Sequence, residues 1–250
     1  MLKKIFCLWG LFFFVFSAHA DIIPFKYLNE GHGTIVAQGK KSGQDRWSAD
    51  FDISKGKDGL VIVEKRGKGY FGADNIYQTW HSRGTFNLVH NHLIPVEVKD
   101  VFYDQQGKII NSVEKKYDAN AQQVFCKING KQKTFAFTDD VVDDINLSLM
   151  MANFPFDQQS IKFHLLTLEP DLYGFTAKLM GTESLNIGGV VKNCYKIKLT
   201  VNLGILGALV PDTYFWVEID PPHRFVRYQG LESGLNTPTV VISRKNTHGV

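Results

Sequence analysis

The chain has 250 residues, of which 44% are hydrophobic, 13% aromatic and 21% charged, ample material for a folded core. Lys and Arg total 28 against 25 Asp and Glu, a net charge of +3, so there is no basic stripe to recruit nucleic acid. The same balance excludes a disordered, highly charged chain.

The first twenty residues read as an address. Lys3 and Lys4 precede an almost wholly apolar run, Ile5 to Phe16, and Ser17-Ala18-His19-Ala20 supplies small residues for signal-peptidase cleavage before Asp21. The apolar run is shorter than the ~20 residues of a permanent membrane helix. No cysteine follows the cut, which argues against a lipid anchor. Residues 1–20 are therefore expected to be a cleaved signal peptide, and residues 21–250 a single soluble periplasmic β domain. Removing 20 of 250 residues leaves 230, and losing Lys3 and Lys4 takes the net charge from +3 to +1.

From Thr34 onward the chain is a succession of short strand-like runs. Trp47, Ala49, Phe51 and Ile53 alternate with polar residues, and Gly59–Lys65 and Ile76–His81 are further strand candidates. His90-Asn91-His92 puts two imidazoles two residues apart, but in a turn before Pro95 and without defined further ligands; a solvated turn is preferred to a metal site. Val96 and Val98 change phase to Val101 and Tyr103, which predicts a bulge near Lys99-Asp100. Ile109–Tyr117 alternates again. Asn129-Gly130, between Gln122–Ile128 and Lys131–Phe137, is the residue pair a type I′ hairpin turn prefers.

One segment reads as a helix. Asp143 or Asp144 caps an apolar stretch over Ile145–Ala152, which Asn153 and Pro155 end. The acids Asp139, Asp140, Asp143 and Asp144 lack the spacing of a calcium loop, so capping is the reading preferred for them. Strands resume at Ile161–Leu168 and Phe175–Gly181. The strictest alternation follows: Tyr195, Ile197, Leu199, Val201 and Leu203 against Lys196, Lys198, Thr200 and Asn202, one face in a core and one in water. Thr213–Ile219, Phe225–Leu231 and Thr239–Arg244 complete the set. Hairpins without intervening helices exclude a parallel α/β sheet.

After export, Cys126 and Cys194 remain. An even pair in an oxidising compartment predicts a disulfide. Cys126 shares parity with Val124 and Ile128, on a buried face, and Cys194 with Lys196 and Lys198, on an exposed one. A bridge thus needs a bulge or strand end, and two separate buried thiols are the alternative. No nucleophile elbow is present, and no catalytic residue or cofactor is assigned. Leu203 to Pro211, LGILGALVP, is an uncharged connection with two glycines, where connections are normally polar. It suggests a cavity lid, a contact tip for membrane or partner protein, or a buried hairpin.

The strand meander from Lys26, the helix start at Asp144–Ser148, and Trp216, Asp220, Arg224 and Arg227 in TYFWVEIDPPHRFVRYQG resemble a family of exported Gram-negative proteins known only as a domain of unknown function. The resemblance covers most of Lys26 to Arg244. Members look like relatives of the LolA/LolB lipoprotein carriers, in which a curved antiparallel sheet wraps a short helical lid around an apolar cavity. That implies an all-β fold, a strongly curved single sheet or half-barrel with one helix as lid, and binding of a lipophilic molecule or acyl chain. It transfers no catalytic residues, and neither the two cysteines nor His90-Asn91-His92 belong to the pattern.

Within such a fold the expected wall of the site is Tyr195, Ile197, Leu199 and Val201, with Trp216 beside them. Leu149, Met150 and Met151 suit a lid, because methionine adapts to irregular ligands. Leu206 and Leu209 are expected at the mouth, where cargo exchange would touch membrane or an envelope protein. The competing expectations are an envelope-assembly or interaction module without a small ligand, and a hydrolase with dispersed catalytic groups.

Overall fold

Period-two alternation along almost every run gives each strand one apolar face, and burying all those faces together bends the sheet around them. The computed structural model describes residues 21–204, 207, 210–234 and 236–245; the expected signal peptide, residues 1–20, lies outside them. The first eight strands are β1 (Gly31–Gly39), β2 (Asp45–Lys55), β3 (Val61–Phe71), β4 (Ile76–Val89), β5 (His92–Tyr103), β6 (Ile109–Asp118), β7 (Gln123–Ile128) and β8 (Lys131–Ala136). They form a continuous antiparallel meander. After β9 (Val141–Asp143), a 3-10 turn (Asp144–Asn146) and helix α1 (Leu147–Met151), a second meander runs through β10 (Ser160–Leu166), β11 (Leu172–Ile187), β12 (Val190–Val201), β13 (Thr213–Glu218), β14 (Phe225–Leu231) and β15 (Thr239–Arg244).

Pairing of β1 with β15 joins the two meanders into one 15-stranded sheet, with β8 and β9 at its two edges. Every pairing is antiparallel except β9 with β10. The sheet is not closed into a barrel by hydrogen bonds. Its edges nevertheless approach, because Val124 and Cys126 of β7 pack with Phe137, Val141 and Leu166 across the seam. Lys133 Nζ also reaches Asp171 Oδ1 at 3.2 Å.

The two ends of the curved sheet differ. At one end the segment before β1 closes the concave side: Ile23 and Phe25 are buried with Leu93, and the Phe25 N–H donates to Asn91 O in the β4–β5 turn. Asn153 ties this segment to the helix, its Oδ1 accepting from the Lys26 and Tyr27 amides and its Nδ2 donating to Tyr27 O and Leu149 O. The helical segment sits inside the curve, capped as the acids suggested: the Asp143 carboxylate accepts from the Ile145 N–H at 3.1 Å. At the other end, described residues of the β10–β11, β12–β13 and β14–β15 connections, among them Leu168, Pro211 and Glu232, form a rim.

Local turn chemistry follows the residues. Asn129 and Gly130 both have positive φ, at 48° and 86°, as a type I′ turn requires. His90 and Asn91 do the same between β4 and β5, at 48° and 63°. The bulge expected near Lys99-Asp100 is displaced. The register breaks where Pro95 and Glu97 face Phe86 and Thr85, leaving Val96 unpaired. Val98, Asp100 and Phe102 then all face inward and are buried. Val101 and Tyr103 point outward, so the phase change is real but arises earlier in the strand.

Candidate functional site

A cavity of about 360 Å³ lies within the concave side, in the range of small-ligand sites. Its wall is layered by cross-strand rows. Nearest the rim is an aromatic row, Ile35, Ala49, Gly67, Trp80 and Phe102, directly paired across β1 to β5. Trp80 stands edge-on to Trp47 at 5.6 Å and tilts against Phe71 at 5.2 Å, while Phe71 stacks on Phe102 at 5.8 Å. Gly67 makes this geometry possible. A Cβ there would lie 2.0 Å from the Trp80 ring, so only glycine lets the indole lie flat against β3.

The rim is held by a buried carboxylate. Glu232, in the β14–β15 connection, accepts from Arg46 Nε at 2.9 Å, from Trp47 Nε1 at 2.8 Å and from the Gly72 N–H at 2.6 Å. Leu168, Leu203, Gly207, Val210 and Pro211 complete the lining at this end. On the closed side the floor is aliphatic, from Ile53, Val63, Ile145 and Leu149. Phe175, Leu199 and Phe215 face them across the cavity.

Between the aromatic row and the floor runs a polar row. Phe51, Lys65, Ser82 and Asp100 are consecutive cross-strand partners on β2 to β5, and all four line the cavity. Lys65 makes no hydrogen bond or ion pair with any described residue, and burial lowers its pKa although Asp144 and Asp100 partly offset this. Asp100 is only 3% exposed and its Oδ2 has no hydrogen-bond partner. Burial pushes its carboxyl up to about 6; Asp144 adds to the shift, while Lys115 and the Ser82 hydroxyl oppose it.

Beside this row an ion network anchors the helix. Lys115, fully buried on β6, reaches Asp143 Oδ2 at 3.0 Å and Asp144 Oδ1 at 2.8 Å, and the Tyr117 hydroxyl donates to Asp143. Burial drives the Asp143 carboxyl up to about 7 against the pull of Lys115. Burial also opposes ionisation of Asp144, but Lys115 and two hydrogen bonds outweigh it and hold that carboxyl below its usual range. Lys115 remains charged because three carboxylates overcome its desolvation. The acids that cap the helix therefore also supply the counter-charge for a buried lysine.

Of the residues expected to form the site, Leu149, Leu199 and Val201 line the cavity. Ile197, Met150 and Met151 lie deeper, in the packed core behind it. Tyr195 is also off the lining, stacked on Phe156 with ring centroids 4.1 Å apart. Trp216 does not belong to the wall. It shares parity with Tyr214 and packs on the opposite, convex face with Leu185, Ile187, Cys194 and Val226, its Nε1 donating to Glu183 at 3.1 Å. Phe215, one residue earlier, takes the inward place. Leu206 and Leu209 lie outside the described residues.

The expected disulfide is also corrected: Cys126 and Cys194 are both free and buried. Cys126 packs in the seam cluster on the concave side and Cys194 in the convex cluster around Trp216, so the sheet itself separates them. His90 and His92 flank Asn91 at the β4–β5 turn. No group of three or more His, Cys, Asp or Glu side chains suited to a metal is found among the described residues.

Lys65, Ser82, Asp100 and Lys115 are functional-site residues that the sequence reading does not single out. Their signal was parity: Lys65 continues Val61 and Val63, Asp100 lies between Val98 and Phe102, and Lys115 lies two residues after Val113.

No family model matches the chain, and no curated protein does. Among solved structures, the chain is similar in fold to a β-barrel-like protein of domain of unknown function DUF1849 from Brucella abortus. The TM-score is 0.57 and the identity 6%, over 89% of this chain and 100% of that one. Looser overlaps are with the hypothetical lipoprotein YmcC from Escherichia coli (TM-score 0.34, 9% identity, 88% and 86% of the two chains) and LprF from Mycobacterium bovis (0.28, 11%, 89% and 88%). The likeness is thus to a fold, coarser than the family expected from the sequence, which these matches do not confirm. No described helix is long and apolar enough to cross a membrane.

Proposed function

We propose that the protein is an exported, soluble binder or carrier of a lipophilic molecule, working in the periplasm rather than as an enzyme. The observation that carries this reading is the cavity of about 360 Å³ walled by Trp47, Phe71, Trp80 and Phe102 on one side and Leu199, Val201 and Phe215 on the other. Well-packed proteins leave few voids larger than a water molecule. A volume of this size amid apolar side chains forfeits dispersion contacts that a ligand would restore. Burial of apolar surface supplies roughly 25 cal/mol per Å² before the costs of association, so an acyl chain needs area more than directed chemistry. The leader-like residues 1–20 support the export part of the reading.

The test is uptake of N-phenyl-1-naphthylamine by solvent-extracted protein, with native mass spectrometry before extraction. The expected result is saturable uptake and an extractable apolar cargo. Val201→Trp, which places an indole in the cavity from a half-buried position, is expected to weaken uptake at least tenfold while leaving the folded circular-dichroism spectrum intact. No uptake and no cargo would overturn the reading in favour of an interaction module.

A further inference from the structure

The polar row is out of place in a cavity that only has to hold hydrocarbon. Leaving a buried hydrogen-bonding group unpaired is costly, so native proteins pair nearly all of them. Here Asp100 Oδ2 is buried and orphaned, and Lys65, half-buried on β3, has no hydrogen-bond or ion-pair partner among the described residues, yet both line the same cavity on either side of Ser82. A donor, a hydroxyl and an acceptor thus stand in consecutive cross-strand positions, spaced by the ~4.8 Å between neighbouring strands.

The sign of the missing partner follows from the local charges. Lys115 is already engaged by Asp143 and Asp144. Immediately around the row the three carboxyls Asp100, Asp143 and Asp144 face two ammonium groups, Lys65 and Lys115, while Arg224 and Arg244 line the cavity from outside the row. Bringing an anion to Lys65 would add to an existing excess of acid, in a medium that screens poorly. A neutral head that offers an oxygen to Lys65 and an O–H to Asp100 satisfies both without importing charge.

We propose, resting on the carrier reading above, that Lys65, Ser82 and Asp100 form a head-group anchor for an uncharged amphiphile whose head carries a carbonyl beside a hydroxyl, as in a monoacylglycerol. The ester carbonyl accepts from the Lys65 ammonium and a glycerol hydroxyl donates to Asp100 Oδ2, with Ser82 bridging. The acyl chain then lies along Trp47, Trp80 and Phe102 toward Val210 and Pro211. Sites built to hydrogen-bond a hydroxyl discriminate strongly against analogues that lack it, because the buried groups are left unpaired.

The experiment is competition against N-phenyl-1-naphthylamine on extracted protein by three ligands of equal chain length: 1-monomyristoylglycerol, methyl myristate and myristate. The expected order places monomyristoylglycerol at least tenfold tighter than methyl myristate, which keeps the carbonyl and lacks the donor, and tighter than myristate. Lys65→Met and Asp100→Asn are each expected to shrink the tenfold ratio to threefold or less, whereas the remote surface change Lys41→Met leaves it intact.

Equal binding of monomyristoylglycerol and methyl myristate by the unaltered protein overturns the anchor while leaving the carrier reading standing, and needs no variant to fold. Tighter binding of myristate, lost in Arg244→Gln, overturns it too. That result would place the polar contact at Arg224 and Arg244, which also line the cavity, Arg244 lying over the Phe51 ring. Release of free myristate from the glycerol ester would replace the anchor with a hydrolase acting through Ser82. Absence of any probe uptake removes both this inference and the carrier reading.

Discussion

Asp100→Asn is the most direct probe of the buried polar row, because its effect on stability has a sign and a pH window. Asp100 is buried at 3% exposure, with Ser82 opposite it on the neighbouring strand β4, Lys65 one strand further on β3, and Lys115 and Asp144 close by in the helix anchor. Its carboxyl moves from an ordinary 3.8 to about 6 in the folded protein, chiefly through burial. The folded chain therefore holds a proton that the unfolded chain has already released. Between those two values the native state binds more protons, and raising the pH favours unfolding. A difference of about two units is worth about 3 kcal/mol in total at 1.36 kcal/mol each. Roughly half of that, about 1.4 kcal/mol, is lost between pH 5 and pH 8, the remainder nearer pH 4.

Asparagine keeps the shape and cannot titrate. Urea unfolding at pH 5 and pH 8 is thus expected to show Asp100→Asn gaining about 1.4 kcal/mol relative to the unaltered protein as the pH rises. Asp143 shifts in the same direction, but its contribution is present in both proteins and drops out of the difference. Parallel stability profiles across pH 5 to 8, or a variant that weakens further with pH, would refute the placement of Asp100 as a buried acid with one carboxylate oxygen unpaired.

Lys115→Met leaves Asp143 and Asp144 without their buried counter-ion; a loss of about 3–5 kcal/mol is expected from urea unfolding, with Lys116→Met on the opposite face near the unaltered midpoint. Equal effects at the two positions would mean that the Lys115 network does not hold the helix. For the cysteines, burial pushes both thiols up to about 11, so neither is expected to react with a thiol reagent in the folded protein. Both are expected to react once the protein is denatured without reductant, and a count of zero would restore the disulfide.

Much of the fold was legible because strand parity and turn chemistry are local. Ile197 and Leu199 alternate with Lys196 and Lys198 in the sequence and do so in β12; Asn129-Gly130 turns as its residues require; Asp143 caps the helix. Where chemical character and parity point different ways, parity prevails. Trp216, expected beside the wall, has the phase of Tyr214 and opposes Phe215, and it packs outward. The sequence leaves Cys126 and Cys194 open between a disulfide and two buried thiols; their parity sets them on opposite faces, and both are free. Lys65, Asp100 and Lys115 are charged residues at inward parity.

The cavity was harder to see for a different reason. A filled core and an empty one have the same apolar alternation, since the pattern records which side chains face inward and not whether they meet. What separates the two cases is long-range: which rings lie flat, and which inward polar groups find partners. Both leave traces at particular positions. Gly67, facing Trp80, removes a side chain from an inward position and turns an indole against the sheet, which opens space. Lys65 and Asp100, at inward parity on otherwise apolar strand faces, would be expensive to bury in a filled core. An inward glycine facing a tryptophan, next to inward charges, is therefore the pattern by which a sheet of this kind marks a lined cavity rather than a filled core.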